Sequence, residues 1–243
     1  MSMKAKRSLT ITGHGGAGGG QFDHVKITGE GSVSGDVECL TLRCMGNSVF
    51  HGNLKAGEIG VTGNITVHGD IRSTAKVKLT GNAEVDGTFS FAKLETGGQL
   101  EIRGRMSGEE IKLRGYLKTD GDCEAESFNA RGSFNIGGLL NAGELDVKLF
   151  GPCSAAEIGG DRITVRLAGM LEILNKWFKP AHNSVLTADI IEGDEIELEN
   201  THARVVRGNR VIIGSGCRIG LVEYKSAFKQ TDPASSINEH KKI

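Results

Sequence analysis

The sequence has few aromatic residues and almost no proline. Phe, Trp and Tyr make up 5% of the 243 residues, and proline occurs three times. A chain so poor in large rings cannot fill a thick core with them, so we expect small and β-branched side chains packed in thin layers. Hydrophobic residues amount to 38% and charged residues to 24%, which is typical of a folded chain rather than a disordered one.

Neither charge sign dominates, and no stretch is apolar enough to cross a membrane as a helix. The 29 Lys and Arg residues face 30 Asp and Glu residues, a net charge of −1, so no nucleic-acid partner is expected. No apolar run approaches the roughly 20 residues that a transmembrane helix needs, and the basic start is not followed by the apolar part of a signal peptide. The five cysteines form no C-x-x-C pair. Reduced thiols and a cytoplasmic location are therefore predicted.

Glycine is the abundant residue, with 36 copies, and it recurs with a fixed period. Seven pairs of glycines, each with five other residues between its members, follow one another at a nearly constant step. A step of about 17 residues is the signature of a repeat architecture. The pairs are Gly29/Gly35, Gly46/Gly52, Gly63/Gly69, Gly81/Gly87, Gly98/Gly104, Gly115/Gly121 and Gly132/Gly138.

Apolar residues alternate with polar residues around each pair, which indicates short strands with one buried face. Two positions before the second glycine stand Val33, Phe50, Val67, Val85, Ile102, Thr119 and Ile136. Two positions after it stand Val37, Leu54, Ile71, Phe89, Met106, Cys123 and Leu140, and eight before it stand Ile27, Cys44, Val61, Leu79, Thr96, Leu113 and Ala130. The glycines fall where the alternation breaks, as a corner with an open backbone conformation requires.

These features predict an all-β fold, a parallel β-helix with about 17 residues per coil and seven regular coils followed by several irregular ones. Asn47, Asn64 and Asn82 each follow the first glycine of a pair, so we expect a ladder of hydrogen-bonded side chains along the axis. The predicted organisation is a flexible glycine-rich leader (1–21), a β-helix domain (22–224) with regular coils (22–149) and irregular coils (150–224), an insertion (170–184) and a disordered tail (225–243).

One column of side chains has the residue types of a metal site. His51 and His68 precede the second glycine in successive coils, and Asp86 follows in the next coil. Two imidazoles and a carboxylate can bind a divalent cation. The column continues with Arg103 and Asp120, however, so an exposed row of polar side chains is the favoured interpretation. We expect no metal, no cofactor and no catalytic residues, and hence no enzyme.

Two further segments invite a functional interpretation. The acidic strand 192–199 is followed by a strand that carries Arg204, Arg207 and Arg210, so pairing of charges between coils is favoured over acid–base catalysis. The insertion carries apolar residues at helical spacing and can either cover the solenoid's own side or dock a partner or a membrane surface. The residues of that patch are Leu171, Leu174, Trp177 and Phe178.

The coils of Gly29–Leu140, such as ITGEGSVSGDV and VTGNITVHGDI, resemble those of the bactofilins, bacterial polymer-forming cytoskeletal proteins. The late block IEGDEIELENTHARVVRGNRVIIGSGCRIGLVEY resembles the longer branch of spore-forming Gram-positive bacteria. The resemblance implies a right-handed β-helix that polymerises end to end without nucleotide and serves cell shape, envelope organisation or motility. It also implies partners: further copies of the chain, a paralogue, and a peripheral membrane or envelope component at the inner face of the cell membrane.

A β-helix has two open ends with unpaired backbone groups, and neither end of this pattern shows a strong cap. We therefore expect polymer contacts at apolar residues of the first and last predicted strands. These residues are Phe22, Val25, Ile27, Val211, Ile213, Ile219 and Val222. Two alternatives stay open: an acyltransferase-like β-helix enzyme, suggested by VIIGSGCRIG although the step between glycine pairs does not fit a hexapeptide repeat, and a binding module that needs a partner.

Overall fold

A computed structural model describes residues 7–168 and 184–243. All regular secondary structure within these residues is β-strand. The described residues form two compact units, divided between Glu109 and Glu110, where the sequence predicts a single domain over 22–224. The strands are β1 (Ser8–Phe50), β2 (Leu54–Val67), β3 (Ile71–Ser73), β4 (Lys76–Val85), β5 (Phe89–Thr96), β6 (Gln99–Ile102), β7 (Met106–Leu113), β8 (Tyr116–Thr119), β9 (Cys123–Leu167), β10 (Leu186–Leu198), β11 (Thr201–Ile213), β12 (Arg218–Gln230) and β13 (Ser236–Lys242).

The first unit is a parallel β-solenoid. Strand β1 pairs in parallel with β2 in one continuous register, from Val37↔Leu54 to Phe50↔Val67. Strand β2 then pairs with β3 and β4, and β4 with β5 and β6, all in parallel. Strands as long as β1 cover more than one turn because their hydrogen bonds to the next coil continue around the corners. Successive turns are about 17 residues apart, so the predicted fold and period are confirmed.

The second unit is also a parallel β-solenoid, with steps that vary as the sequence predicts. Strands β8 and β9 keep the step of the regular coils, with Tyr116 opposite Ser133. Strands β10 and β11 are related by a shorter step, and β12 and β13 by a slightly longer one. The irregular coils therefore differ from the regular ones in length and not in the direction of their strand pairing.

The predicted insertion interrupts the chain between two neighbouring strands. Leu186 of β10 pairs with Cys153 of β9, so these strands lie side by side despite the residues between them. All of the predicted insertion except Ser184, including its four apolar residues, lies outside the described residues. The solenoid thus continues in parallel register on both sides of it.

The three predicted apolar columns form the core of the regular coils. All twenty-one positions are buried, including the two threonines Thr96 (3% exposed) and Thr119 (1% exposed). The core is made of thin layers, and Phe50, Phe89, Phe128 and Phe134 are its largest fully buried side chains. The period-2 pattern therefore identified the buried face of each short strand correctly.

Glycine is required at the corners for two physical reasons, of which the sequence analysis recognised one. Gly46, with φ of 117°, has the left-handed conformation that L side chains rarely adopt. Six of the fourteen predicted corner glycines share a positive φ: Gly29, Gly35, Gly46, Gly63, Gly81 and Gly115. Others face a crowded neighbour, where an added Cβ would lie closer than 3.0 Å to atoms of the adjacent coil: Gly52, Gly69, Gly87, Gly98, Gly104, Gly132 and Gly138.

Gly121 departs from the predicted role of the corner glycines. It lies in the bend between β8 and β9, as a corner residue should, but it is not one of the glycines with positive φ. The prediction of an open backbone conformation is therefore wrong at this corner, as it is at the seven crowded glycines, but Gly121 is not among the crowded ones either. What the bend provides is an inter-coil contact, because the C=O of Gly121 accepts a hydrogen bond from the N–H of Gly138 (3.3 Å).

Polar ladders run along the same corners. The predicted asparagine ladder is confirmed, because Asn64 Nδ2 donates to Asn47 Oδ1 (2.8 Å) and Asn82 Nδ2 donates to Asn64 Oδ1 (3.1 Å). A second ladder, missed in the sequence, uses the residue after the second glycine. The backbone N–H of Asn53 donates to Asp36 Oδ1 (2.7 Å), and that of Asp70 donates to Asn53 Oδ1 (2.9 Å).

The predicted flexible leader and disordered tail are wrong within the described residues. Residues 8–21 belong to β1 and form a coil of their own, and residues 236–242 form β13. Both segments form hydrogen bonds to the adjacent coil, such as Asp23 N–H to Arg7 O (2.8 Å), and Ile11 of the first coil is also buried in the core. No helix among the described residues is long and apolar enough to cross a membrane.

Candidate functional site

The first coil, residues 8–22, is the outer edge of the first unit. Close approaches between glycines define its register with the next coil. A Cβ added at Gly29 would meet the backbone of Gly13, and one added at Gly19 would meet that of Gly35. The same register places Ala17 beside Val33. The outward edge of this coil is paired to no other described strand.

The composition of the first coil is unusual for a sheet edge. Residues 8–22, SLTITGHGGAGGGQF, contain no lysine, arginine, acidic residue or proline. The one titratable side chain of this segment is His14, which is paired with Glu30 of the next coil. Natural sheets protect their edges with charges or proline, so this edge is open to pairing with another strand.

The last coil, in the second unit, has the opposite character. Strand β13 carries Glu239, His240, Lys241 and Lys242. Glu223 of β12 is held between Lys241 Nζ (3.0 Å) and Arg207 Nε (2.6 Å). The hydrogen bond from Lys241, and to a smaller extent that from Arg207, lowers the pKa of the Glu223 carboxyl. Charged side chains of this kind discourage further strand pairing.

Of the seven predicted polymer contacts, only Phe22 belongs to the first coil, the outer edge of the first unit. Six of the seven residues are buried under a further coil of the same chain, with at most 2% exposure: Val25, Ile27, Val211, Ile213, Ile219 and Val222. Phe22 is half-buried, and Arg7 stacks its guanidinium over the ring at 5.6 Å. The prediction is wrong for these six buried residues, because the first coil and strands β12 and β13 cover them.

The histidine column is a row of interacting polar side chains. The rings of His51 and His68 stack with centroids 5.3 Å apart, and His68 Nδ1 lies 2.7 Å from Asp86 Oδ2. The hydrogen bond with His68 lowers the pKa of Asp86, and Arg103 lies 3.3 Å from the same carboxylate. The structure thus brings together the three residues that the sequence singled out. No three His, Cys, Asp or Glu side chains within residues 7–168 and 184–243 are arranged to hold a metal.

The acidic strand β10 is neutralised from both neighbouring strands. Arg207 of β11 lies 3.3 Å from Glu192, as pairing with the following strand predicts. The preceding strand β9 contributes two further bridges that the sequence analysis missed, Arg162 to Glu195 (3.3 Å) and Arg166 to Glu197 (3.0 Å). The insertion between β9 and β10 hid these partners, since the regular period does not align them.

All five cysteines are free and buried. Burial raises the pKa of the thiols to about 11 for Cys39, Cys44 and Cys217 and to about 12 for Cys153, and it also raises that of Cys123. A thiol with so high a pKa is protonated at neutral pH and is a poor nucleophile.

One family model and two proteins of Bacillus subtilis are similar to this chain. A family model described as the Flagellar Assembly Protein A beta solenoid domain matches residues 47–144. The chain is 47% identical to the uncharacterized protein YhbE of Bacillus subtilis (strain 168), over 99% of this chain and 100% of that protein. It is 46% identical to the uncharacterized protein YhbF of the same organism, over 97% of each chain. No solved structure matches the chain significantly.

These matches correct the bactofilin resemblance. The family model that matches is that of the flagellar-assembly solenoid domain and not that of the bactofilins. The G-x5-G coils that carried the resemblance follow from the geometry of a tight corner repeated in every coil, which different solenoid families can share.

Proposed function

This chain belongs to the family of the Bacillus subtilis proteins YhbE and YhbF, and we propose that it is a non-enzymatic β-solenoid scaffold that joins a second copy through its first coil. The cellular process we propose is flagellar assembly, which the description of the matching solenoid domain names. A cytoplasmic location is part of this proposal.

The observation that carries the proposal is the open edge of residues 8–22. The outer edge is paired to no other described strand, and the segment has six glycines and no titratable side chain other than His14 to hinder an approaching strand. Addition of a strand to such an edge supplies main-chain hydrogen bonds, a recurrent mode of protein association.

The end layer of side chains offers apolar surface to the same contact. Leu9 and Ala17 are half-buried there, and Ile11 is 7% exposed. A second first coil, related by a two-fold axis, would cover these residues and present the same patch in return. The resulting contact is isologous, so by itself it gives pairs.

Polymerisation requires a second contact, and the last coil offers one. That coil carries charged β13, but it also exposes Ile243 and has an aromatic cluster in which the ring of exposed His240 lies 4.9 Å from that of half-buried Phe228. Filaments built from pairs would use this cluster.

Two observations argue against the acyltransferase-like alternative. The step between paired strands differs from one part of the second unit to another, whereas a hexapeptide repeat keeps one constant step. The five buried thiols are protonated and offer no activated nucleophile. Both features favour a scaffold over an enzyme.

The test compares two lysine substitutions of the full chain. Ala17→Lys places a charge in the proposed contact, whereas Gly97→Lys adds the same charge to an exposed site away from the first coil, where an added Cβ has its nearest neighbour at 3.9 Å. Light scattering coupled to size-exclusion chromatography, with negative-stain electron microscopy, measures assembly. We expect pairs or longer assemblies for the wild type and Gly97→Lys, and monomers for Ala17→Lys.

A wild-type chain that is monomeric at all concentrations and salt levels would overturn self-assembly. The first-coil edge would then be assigned to a strand from a different protein, as in the partner-dependent binding module. Assembly of Ala17→Lys as strong as that of the wild type would exclude the first coil as the contact.

A further inference from the structure

One face of the first unit carries a column of residues in which cations flank a glycine. In the strand register, Arg43 lies opposite Gly60 and Gly60 lies opposite Lys78, so the three residues occupy equivalent positions in successive coils. Arg43 and Lys78 are exposed, and their backbones are two coils apart, about 10 Å. Because Gly60 has no side chain, a hollow lies between the two cations.

The hollow has a volume of about 400 Å³ and a lining suited to an anion. Lys26 contributes a third cation, and Thr62 and Thr80 bring two exposed hydroxyls to the same face. An adjoining hollow of about 280 Å³ shares Arg43, Gly60 and Lys78 and contains one acidic residue, Glu58.

The three cations differ in their ion pairing from other basic residues of the same unit. Lys55 is paired with Glu38 at 2.6 Å and Lys76 with Glu95 at 2.8 Å, each across neighbouring coils. Among the described residues, by contrast, no ion pair involves Lys26, Arg43 or Lys78. Three cations left without partners around one hollow create a local positive potential in a chain whose net charge is −1.

We propose that this hollow is a phosphate-binding site, with Arg43 and Lys78 contacting one phosphate group from both sides over Gly60 and Lys26 adding a third charge. A guanidinium contacts phosphate oxygens in a bidentate manner, an ammonium acts as a point charge, and hydroxyls donate single hydrogen bonds. The phosphate can come from the headgroup of an anionic lipid or from a soluble phosphorylated molecule. Arg43, Gly60 and Lys78 lie outside the first coil and the coil next to it, so the site does not depend on the proposed assembly.

Gly60 itself provides the sharpest variants. A Cβ added there has its nearest neighbour at 4.0 Å, and its φ is not in the left-handed region, so a side chain can be accommodated without strain. Gly60→Glu places a carboxylate among the three cations, and Gly60→Gln fills the same space without charge. A cooperative urea transition in each of the two variants establishes that it is folded.

Two probes separate the sources of phosphate. Flotation with phosphatidylglycerol–phosphatidylcholine vesicles, against pure phosphatidylcholine vesicles, measures lipid binding independently of self-assembly. The rise in Tm caused by inorganic phosphate, relative to chloride at equal ionic strength, measures a soluble ligand. For lipid, we expect a loss of about fivefold in affinity for each cation removed in Arg43→Gln and Lys78→Gln, and a larger loss in Gly60→Glu than in Gly60→Gln.

The results of the two assays distinguish a lipid site, a site for a soluble phosphate compound and the absence of a site. Vesicle binding that Gly60→Glu removes and Gly60→Gln retains assigns the site to lipid headgroups. A phosphate-dependent rise in Tm with the same pattern, without vesicle binding, assigns it to a soluble ligand. Absence of both effects in the wild type, or equal behaviour of the two Gly60 variants, would overturn the proposal.

Discussion

Asn64 joins the coils on either side of it: its Nδ2 donates to Asn47 Oδ1 at 2.8 Å, and its Oδ1 accepts from Asn82 Nδ2 at 3.1 Å. Asn64→Ala removes both bonds, and Asn64→Asp removes the donated one only. With about 1 kcal/mol for each bond, we expect Asn64→Ala to lower the free energy of unfolding by about 2 kcal/mol and Asn64→Asp by about 1 kcal/mol. Urea denaturation checks the order, and equal effects of the two variants would contradict a two-bond ladder.

Gly46 and Gly60 test the two environments of glycine in the first unit. Gly46→Ala forces an L side chain into φ of 117° and against the backbone of Gly29, so we expect a loss of at least about 2 kcal/mol. Gly60→Ala has room and an ordinary backbone, so we expect no loss, or a gain of up to about 1 kcal/mol. Urea midpoints of the two variants measure this difference. A comparable loss in both variants would contradict the claim that the corner positions specifically require glycine.

Much of the fold could be predicted because its determinants are local. Val33, Phe50 and Val67 repeat one position of one coil, so the fixed period and the alternation identify both strand and core. The first coil and strand β13 could not be predicted, because one is dominated by glycine, with Leu9 and Ile11 as its short apolar alternation, and the other by polar residues. The Gly60 hollow was hidden as well, since Gly60 is not one of the paired corner glycines and looks like a weak strand residue.

Glu223 makes the last coil sensitive to acid. Its pKa is lowered below the ordinary 4.5 by Lys241 and Arg207, so the stabilisation is present above pH 4.5 and is lost as the pH falls through the lower folded pKa. We expect Glu223→Gln to lower the urea midpoint at pH 7, and the gap to the wild type to close in acid. Hydrogen exchange of the β13 amides locates the effect. A gap that stays constant down to acid pH would show that charge is not its cause.

The buried thiols should react slowly with thiol reagents in the native state. Because burial raises their pKa values, we expect slow reaction of all five with a thiol-specific disulfide reagent at pH 8 and full reaction in denaturant. Counting released chromophore in both conditions checks this. Rapid native reaction of any thiol would mean that its coil opens readily.

Because the native cysteines are unreactive, an added cysteine can be labelled selectively. This permits the most direct test of the central claim, the pairing of first coils. A cysteine at Gly18, where an added Cβ has no neighbour within 4 Å, can carry a nitroxide label, and Gly97→Cys serves as the matched control. Pulsed dipolar spectroscopy then reports distances between copies. We predict a short, well-defined intermolecular distance for the label at Gly18 and none for the label at Gly97. No coupling at Gly18 under conditions where the chain is assembled would contradict the proposed contact.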